Sequence, residues 1–277
     1  MRKDSGRFHI VKDHSGSDGA VTTGRPSTGS GVQSIDRALQ LLEHLADAGG
    51  SLRLGELETA SGLPLPTIHR LMRALAHHGY VRQEASKRYS LGARLIRLGE
   101  IAGRTLGSWA LPQLTELVVA IGETANMAVL DGDAVVYVAQ VPSAHSMRMF
   151  TEVGRRVSAH STGVGKALLS LLTDDQVLAL LHRTGMPVRT EHTITDPAKL
   201  LGELDHIRRQ GWAVDDAEQE VGVRCVAVPL LSTPARVAIS VSGPSARVTA
   251  ARVPQIAPIL QRAAKALTQD THLMPPA

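Results

Sequence analysis

The chain has 277 residues, is 43% apolar, and carries a formal net charge of +4, which leaves room for one large or two ordinary domains with packed cores. Its single cysteine, Cys225, excludes an intramolecular disulfide framework and a cysteine-rich zinc site. With no apolar run of membrane-spanning length and no signal-peptide stretch, the composition predicts a soluble cytoplasmic protein with no membrane contact.

Residues 1–30 are rich in Gly, Ser, Asp and Thr and read as a disordered tail. Ser34 is placed to cap a helix reaching about Ala48, with Val32 or Ile35, then Leu39, Leu42 and Leu45, as its buried stripe. Leu54, Leu57 and Ala60 mark a second helix, broken at Gly62. Pro64 and Pro66 suit the first turn of a third, where a missing N–H is harmless. Ile68, Leu71, Met72 and Leu75 then recur at helical spacing, while Thr67, His69, Arg70, Arg73 and His77 take the opposite face. Helix, short glycine turn and cationic second helix form a helix-turn-helix. Tyr80-Val81-Arg82 and Arg88-Tyr89-Ser90-Leu91, joined at Glu84 to Lys87, form a wing.

Residues 1–92 hold 12 Lys or Arg against 9 Asp or Glu, whereas 93–277 hold 18 against 17. The basic excess therefore sits mainly in the amino-terminal third, as a DNA-binding head joined to a nearly neutral body would show. The head spans 31–91 and a connecting helix spans 92–107, with apolar residues at Ile96, Leu98 and Ile101 that suit a contact between two copies.

A body domain over 108–270 follows, with a tail at 271–277. Its first helix carries Leu111, Leu114, Leu117, Val118 and Ile121. Asn126 to Leu130 and Ala134 to Val141 flank Asp131-Gly132, a hairpin signal. A strand is expected within 147–157, and helices over Val164 to Leu172, from Asp174 to His182, and from Asp196-Pro197 to Gln210. Strands at Val214, Val221 to Leu231 and Arg236 to Ser242 precede a closing helix within Pro244 to Thr268. The interspersed order predicts an α/β (α+β) domain on a mainly antiparallel sheet.

GLPLPTIHRLMRALAHHGYV, HSTGVGKALL and GWAVDDAEQEVGVRCVAVP together resemble the IclR family of bacterial transcriptional regulators, over roughly residues 32–268. The last run is the most specific, with Gly211, Asp215, Glu218, Cys225, Val226 and Ala227 in the family's places. The chain departs downstream at Leu231 and Ser232, where the family tends to carry an aromatic and Asp or Asn. The resemblance implies a GAF-like effector-binding body and a dimer or tetramer. It also implies an effector cavity lined by Met149, Val157, Gly163, Val164, Asp215, Val223, Cys225, Ser240 and Ser242. Ser240 and Ser242 alternate on one strand, which independently puts both on one face.

His160 to Lys166 fails as a phosphate loop, because His160 stands where Gly is needed and Ala167 where Ser or Thr is needed. No catalytic set, metal set or cofactor motif emerges, and the twelve His are scattered. Glu218 and Arg224 read as an ion pair fixing the loop before Cys225. The sequence thus predicts a non-enzymatic, ligand-responsive regulator. Base contacts fall to Thr67, His69, Arg70 and Arg73, phosphate contacts to Lys87 and Arg88, and the effector is a small organic acid or aromatic metabolite. An α/β enzyme with an appended helix-turn-helix and a purely architectural DNA-binding protein are the rivals.

Overall fold

The computed structural model describes residues 30–149, 151–231, 233 and 235–269; the expected tails, Ser30 excepted, lie outside them. The chain divides into two compact units between Leu95 and Ile96.

The first unit runs α1 (Ser30–Asp47), β1 (Ser51–Leu52), α2 (Leu54–Ser61), α3 (Leu65–His77), β2 (Val81–Gln83) and β3 (Tyr89–Leu91). Gly62 takes the left-handed conformation that ends α2, at φ 66°, and donates its N–H to Glu58. Pro64 caps α3 and Pro66 sits in its first turn. The three short strands form one antiparallel sheet, β1-β3-β2, which is the wing.

The core holds Leu41, Leu45, Leu57, Ile68, Leu71, Met72, Val81 and Tyr89. Each large side chain fully withdrawn from water there contributes about 1.5–3 kcal/mol. Two expectations for α1 fail. The helix begins at Ser30, so Ser34 lies inside it rather than capping it. Val32, Ile35 and Leu39 are exposed; Leu45 is buried as expected, Leu42 packs against the core, and Leu41, outside the expected stripe, is fully buried. Contact with α2 and α3 turns this side of α1 inward.

The second unit continues through α4 (Arg94–Leu106), a 3₁₀ turn at Ser108–Ala110 and α5 (Leu111–Ile121). Gly107 marks the break because a Cβ there would lie 2.0 Å from the Val138 carbonyl oxygen. Next come β4 (Thr124–Asp131), β5 (Ala134–Val141), β6 (Arg156–Val157), α6 (Gly163–Leu169), α7 (Asp174–Thr184) and α8 (Pro197–Gln210). The unit closes with β7 (Ala213–Asp216), β8 (Val223–Pro229), β9 (Val237–Pro244) and α9 (Val253–Gln269). The six strands are ordered β6-β5-β4-β9-β8-β7, all pairings antiparallel. The strand expected within 147–157 shrinks to two residues, and the closing helix starts only at Val253. The Ser232 to Ala235 turn is only partly among the described residues.

The sheet separates two cores. One joins Leu114 and Leu117 of α5 and Ile256 and Leu260 of α9 to Met127, Val226, Ile239 and Val241. The other joins α6, α7 and α8 to Ala128, Ala213, Cys225, Ala227 and Ala238. The second face is built from small residues, which lets α6 lie close to the strands. A Cβ on Gly163 would meet the Cys225 Sγ at 2.8 Å.

Candidate DNA interface and effector site

Helical periodicity sorts α3 into two faces. Ile68, Leu71 and Met72 are buried, while His69, Arg70 and Arg73 are exposed and Thr67 is half-buried. With Ala74, His77 and His78 the exposed residues border one shallow depression. His77 and His78 turn their rings toward each other. Their ring centroids are 5.1 Å apart, because the helix stops at His77 and His78 leaves its path.

At the wing tip the Lys87 N–H donates to the Glu84 carbonyl (2.9 Å), and Lys87 sits at φ 61°. The Ser90 hydroxyl donates a short hydrogen bond to Glu84. Lys87 and Arg82 are exposed. Arg88 is engaged within the domain: it donates to the Ser51 carbonyl (2.7 Å) and hydroxyl (3.1 Å) and pairs with Glu56 at 3.4 Å. It fastens the wing to β1 and α2, so of the two wing cations expected at phosphate only Lys87 is open.

In the body, directly opposed residues of an antiparallel ladder share a face. The register Thr124↔Ser242↔Cys225↔Asp215 lays four polar side chains in one row across β4, β9, β8 and β7. The next row on that face carries Gln140, Asn126 and Ser240. Gln140 donates to Asn126 Oδ1 (3.1 Å), and Asn126 Nδ2 lies 3.5 Å from the Ser242 hydroxyl. Ser240 Oγ is fully buried, with the Cys225 thiol, a weak partner, the one side chain that bonds it. Val223 lies two residues before Cys225 on β8 and so shares its face. The Thr124 hydroxyl donates to the Met149 carbonyl (3.0 Å), bringing the half-buried Met149 to the same end of the sheet. Val157 packs against the α6 side. Of the nine residues expected in an effector site, all lie on or beside this face.

Asp215 Oδ1 accepts the N–H groups of Glu218 (2.8 Å) and Gln219 (3.3 Å). Burial nevertheless pushes its carboxyl up to about 7, with the Glu218 charge adding to the rise. Burial likewise pushes the Cys225 thiol up to about 11, so it stays protonated and unreactive. The Tyr137 phenol is also raised by burial.

The expected Glu218–Arg224 pair is replaced by two others. Arg224 bonds Asp216, its direct cross-strand neighbour, at 2.5 Å. Glu218 bonds Lys166 at 2.5 Å, with Glu203 3.6 Å from the same ammonium. Neighbouring strand residues point to opposite faces, so Asp215 and Cys225 look toward α6 while Asp216 and Arg224 look away. Lys166 is 1% exposed. A lysine inside the apolar run of α6 was its one signal in the sequence. No group of three or more His, Cys, Asp or Glu among the described residues is placed to hold a metal ion. No helix among them is long and apolar enough to cross a membrane.

A winged head with a cationic recognition helix, and a body whose sheet carries a buried polar row, define a DNA-binding regulator with a sensing domain. The IclR helix-turn-helix domain matches residues 34–85 and the bacterial transcriptional regulator IclR C-terminal domain matches 101–269, so the chain belongs to the IclR family of transcriptional regulators. It is 38% identical over 256 residues to the transcriptional repressor IclR of Escherichia coli, covering 90% of this chain and 93% of that protein. The acetate operon repressor of Salmonella typhimurium matches with the same identity and coverage. A solved IclR-type regulator from a Silicibacter species aligns with a TM-score of 0.74 at 29% identity, over 88% of this chain and 98% of that one. The family comprises regulators rather than enzymes, which decides against the catalytic reading.

Proposed function

We propose that the protein acts in the cytoplasm as a dimer or tetramer, binds an inverted-repeat operator, and changes its hold on DNA when a small organic acid occupies the polar row of the body. The observation that carries the effector assignment is the fully buried Ser240 hydroxyl, which has only the weakly bonding Cys225 thiol to turn to and lies on one face with Asn126 and Ser242. A buried hydroxyl left under-satisfied costs free energy that a ligand would recover. Asp215 sets the class of acid. An ionised Asp215 beside a carboxylate is unfavourable, so it holds a ligand hydroxyl or takes up a proton. A hydroxy- or oxo-acid therefore fits better than a plain aliphatic one.

The test is calorimetric titration of the full chain with two- to four-carbon acids, with and without a hydroxyl or oxo group. Ser242→Ala is expected to weaken the best of them by about 1.5–3 kcal/mol, the range for a lost bond to a charged group. The pH dependence has a defined sign. Asp215 titrates near 7 before ligand arrives, among Glu218, Lys166, Cys225 and Tyr137. An anion binds beside the protonated carboxyl, so affinity falls as pH rises through about 7. Asp215→Asn should flatten that profile. If neither substitution alters affinity or its pH profile, the effector sits elsewhere.

One winged helix reads only a short half-site, so operator specificity needs two heads at fixed spacing. Ile96, Leu98 and Ile101 of α4 are exposed at 64%, 45% and 43%, more apolar surface than a solvated helix face carries. Light scattering should show at least a dimer for the wild type. Ile96→Glu with Ile101→Glu should shift it toward monomer and weaken operator binding. A wild-type monomer with full operator affinity would refute this assembly.

A further inference from the structure

We propose a second small-molecule site in the body, separate from the polar row, that takes an apolar monocarboxylate. The strand β7 begins only opposite Ala227, so β8 continues for two residues past it with its outer edge open. The helices α6 and α8 lie on one side of the sheet and α9 on the other. Where the edge strand is missing, these layers leave a cavity of about 520 Å³ between them. That volume lies in the range of small-ligand pockets. None of the nine residues assigned to the effector lines it.

The lining identifies the occupant. Leu171, Ile207, Val228 and Ala264 give apolar walls. The hydroxyls at the rim are already used: Ser170 donates to the Ala167 carbonyl (2.7 Å) and Thr268 to the Ala264 carbonyl (2.8 Å). Arg208 is balanced by Asp174 (2.9 Å) and Asp205 (2.7 Å) and donates to the Ser170 and Leu172 carbonyls. Lys265 is exposed at the rim, and no acid lines the cavity. One uncompensated cation above apolar walls selects a single negative charge on an apolar body. An added β-strand is disfavoured. The Leu230 N–H points inward to the Val237 carbonyl, so Pro229 faces the open edge, and it has no N–H to pair. The polar row suits hydroxylated acids; this slot suits the opposite kind.

The test is calorimetric titration of the full chain with decanoate, with decanol as the uncharged control. Saturable binding of one decanoate per chain is expected. Lys265→Glu, at an exposed position, should weaken decanoate by roughly tenfold, since it turns an attraction into a repulsion, and leave decanol unchanged. Ala264→Phe should abolish both by filling the slot. Leu231→Glu, 62% exposed at the mouth, is the variant least able to disturb folding and should weaken both. Ser242→Ala should change neither. The proposal is overturned if decanoate fails to saturate, or if Lys265→Glu and Leu231→Glu bind it as the wild type does. It is also overturned if Leu231→Glu changes only the oligomeric state, which would make the slot a contact between copies.

Discussion

Replacing Lys166 by methionine is expected to destabilise the body by about 3–5 kcal/mol, the range for removing one partner of a buried ion pair. The ammonium is 1% exposed and holds Glu218 at 2.5 Å and Glu203 at 3.6 Å. Burial already raises the Glu218 carboxyl above its ordinary range, and Lys166 is the main force holding it down. Beyond Lys166, only the Asp216 N–H helps to hold the carboxyl down, and the second oxygen, Oε2, is buried without a well-formed hydrogen bond. The pair also fixes the loop between β7 and β8. Ser161 donates to Gln219 (2.7 Å), and Thr190 and Thr193 donate to the Ala217 and Glu218 carbonyls (2.7 Å each) on that loop.

Asp215, near the end of β7, accepts the Glu218 and Gln219 N–H groups of that loop, so losing Lys166 should loosen the effector face as well as lower stability. Both tryptophans, Trp109 and Trp212, lie in the body, so their fluorescence during urea unfolding reads that unit. The double variant Lys166→Met with Glu218→Leu should recover much of the loss, since no lone charge remains. An unchanged midpoint in Lys166→Met would show that the pair contributes nothing.

Arg70→Ala is expected to weaken operator binding by about 1–3 kcal/mol, the cost of one bidentate base contact. Arg70 lies one turn into α3 on the face opposite Ile68, Leu71 and Met72, so its removal leaves the core intact. Lys87→Ala should behave differently. A phosphate contact carries no sequence information, so binding should weaken alike for operator and random DNA, with a shallower salt slope. Arg88→Ala should chiefly destabilise the wing, since Ser51 and Glu56 hold that guanidinium. Operator titrations at several salt concentrations separate the three. Unchanged operator affinity in Arg70→Ala would remove α3 from the reading of bases.

What was legible in the sequence was local. Asp196 caps α8, Pro197 opens it and Gly211 ends it at φ 84°, each by chemistry confined to a few residues. The hairpin at Gly132 and both faces of α3 were legible for the same reason. Properties set by distant partners were hidden. Val32, Ile35 and Leu39 of α1 look as apolar as Leu41 and Leu45 until α2 and α3 decide which side turns inward. Thr124, Asn126 and Gln140 join the serine row only through strand register, which spans more than a hundred residues between β4 and β9. Lys166 stands in a run that fails as a phosphate loop, and nothing in that run points to Glu218, its partner 52 residues on. The cavity before β7 depends on where an edge strand starts, and strand bounds are poorly specified by periodicity.

The central claim is a sequence-specific grip on DNA that a small acid alters. The most direct measurement is fluorescence anisotropy with the full chain, using a duplex it selects from a random pool, a scrambled duplex, and the two- to four-carbon acids. The account predicts an inverted repeat bound far more tightly than its scrambled form. It also predicts that at least one hydroxy- or oxo-acid shifts that affinity by roughly 5–150-fold, the usual span of allosteric coupling. Equal affinity for selected and scrambled duplexes, with every acid silent, would contradict it.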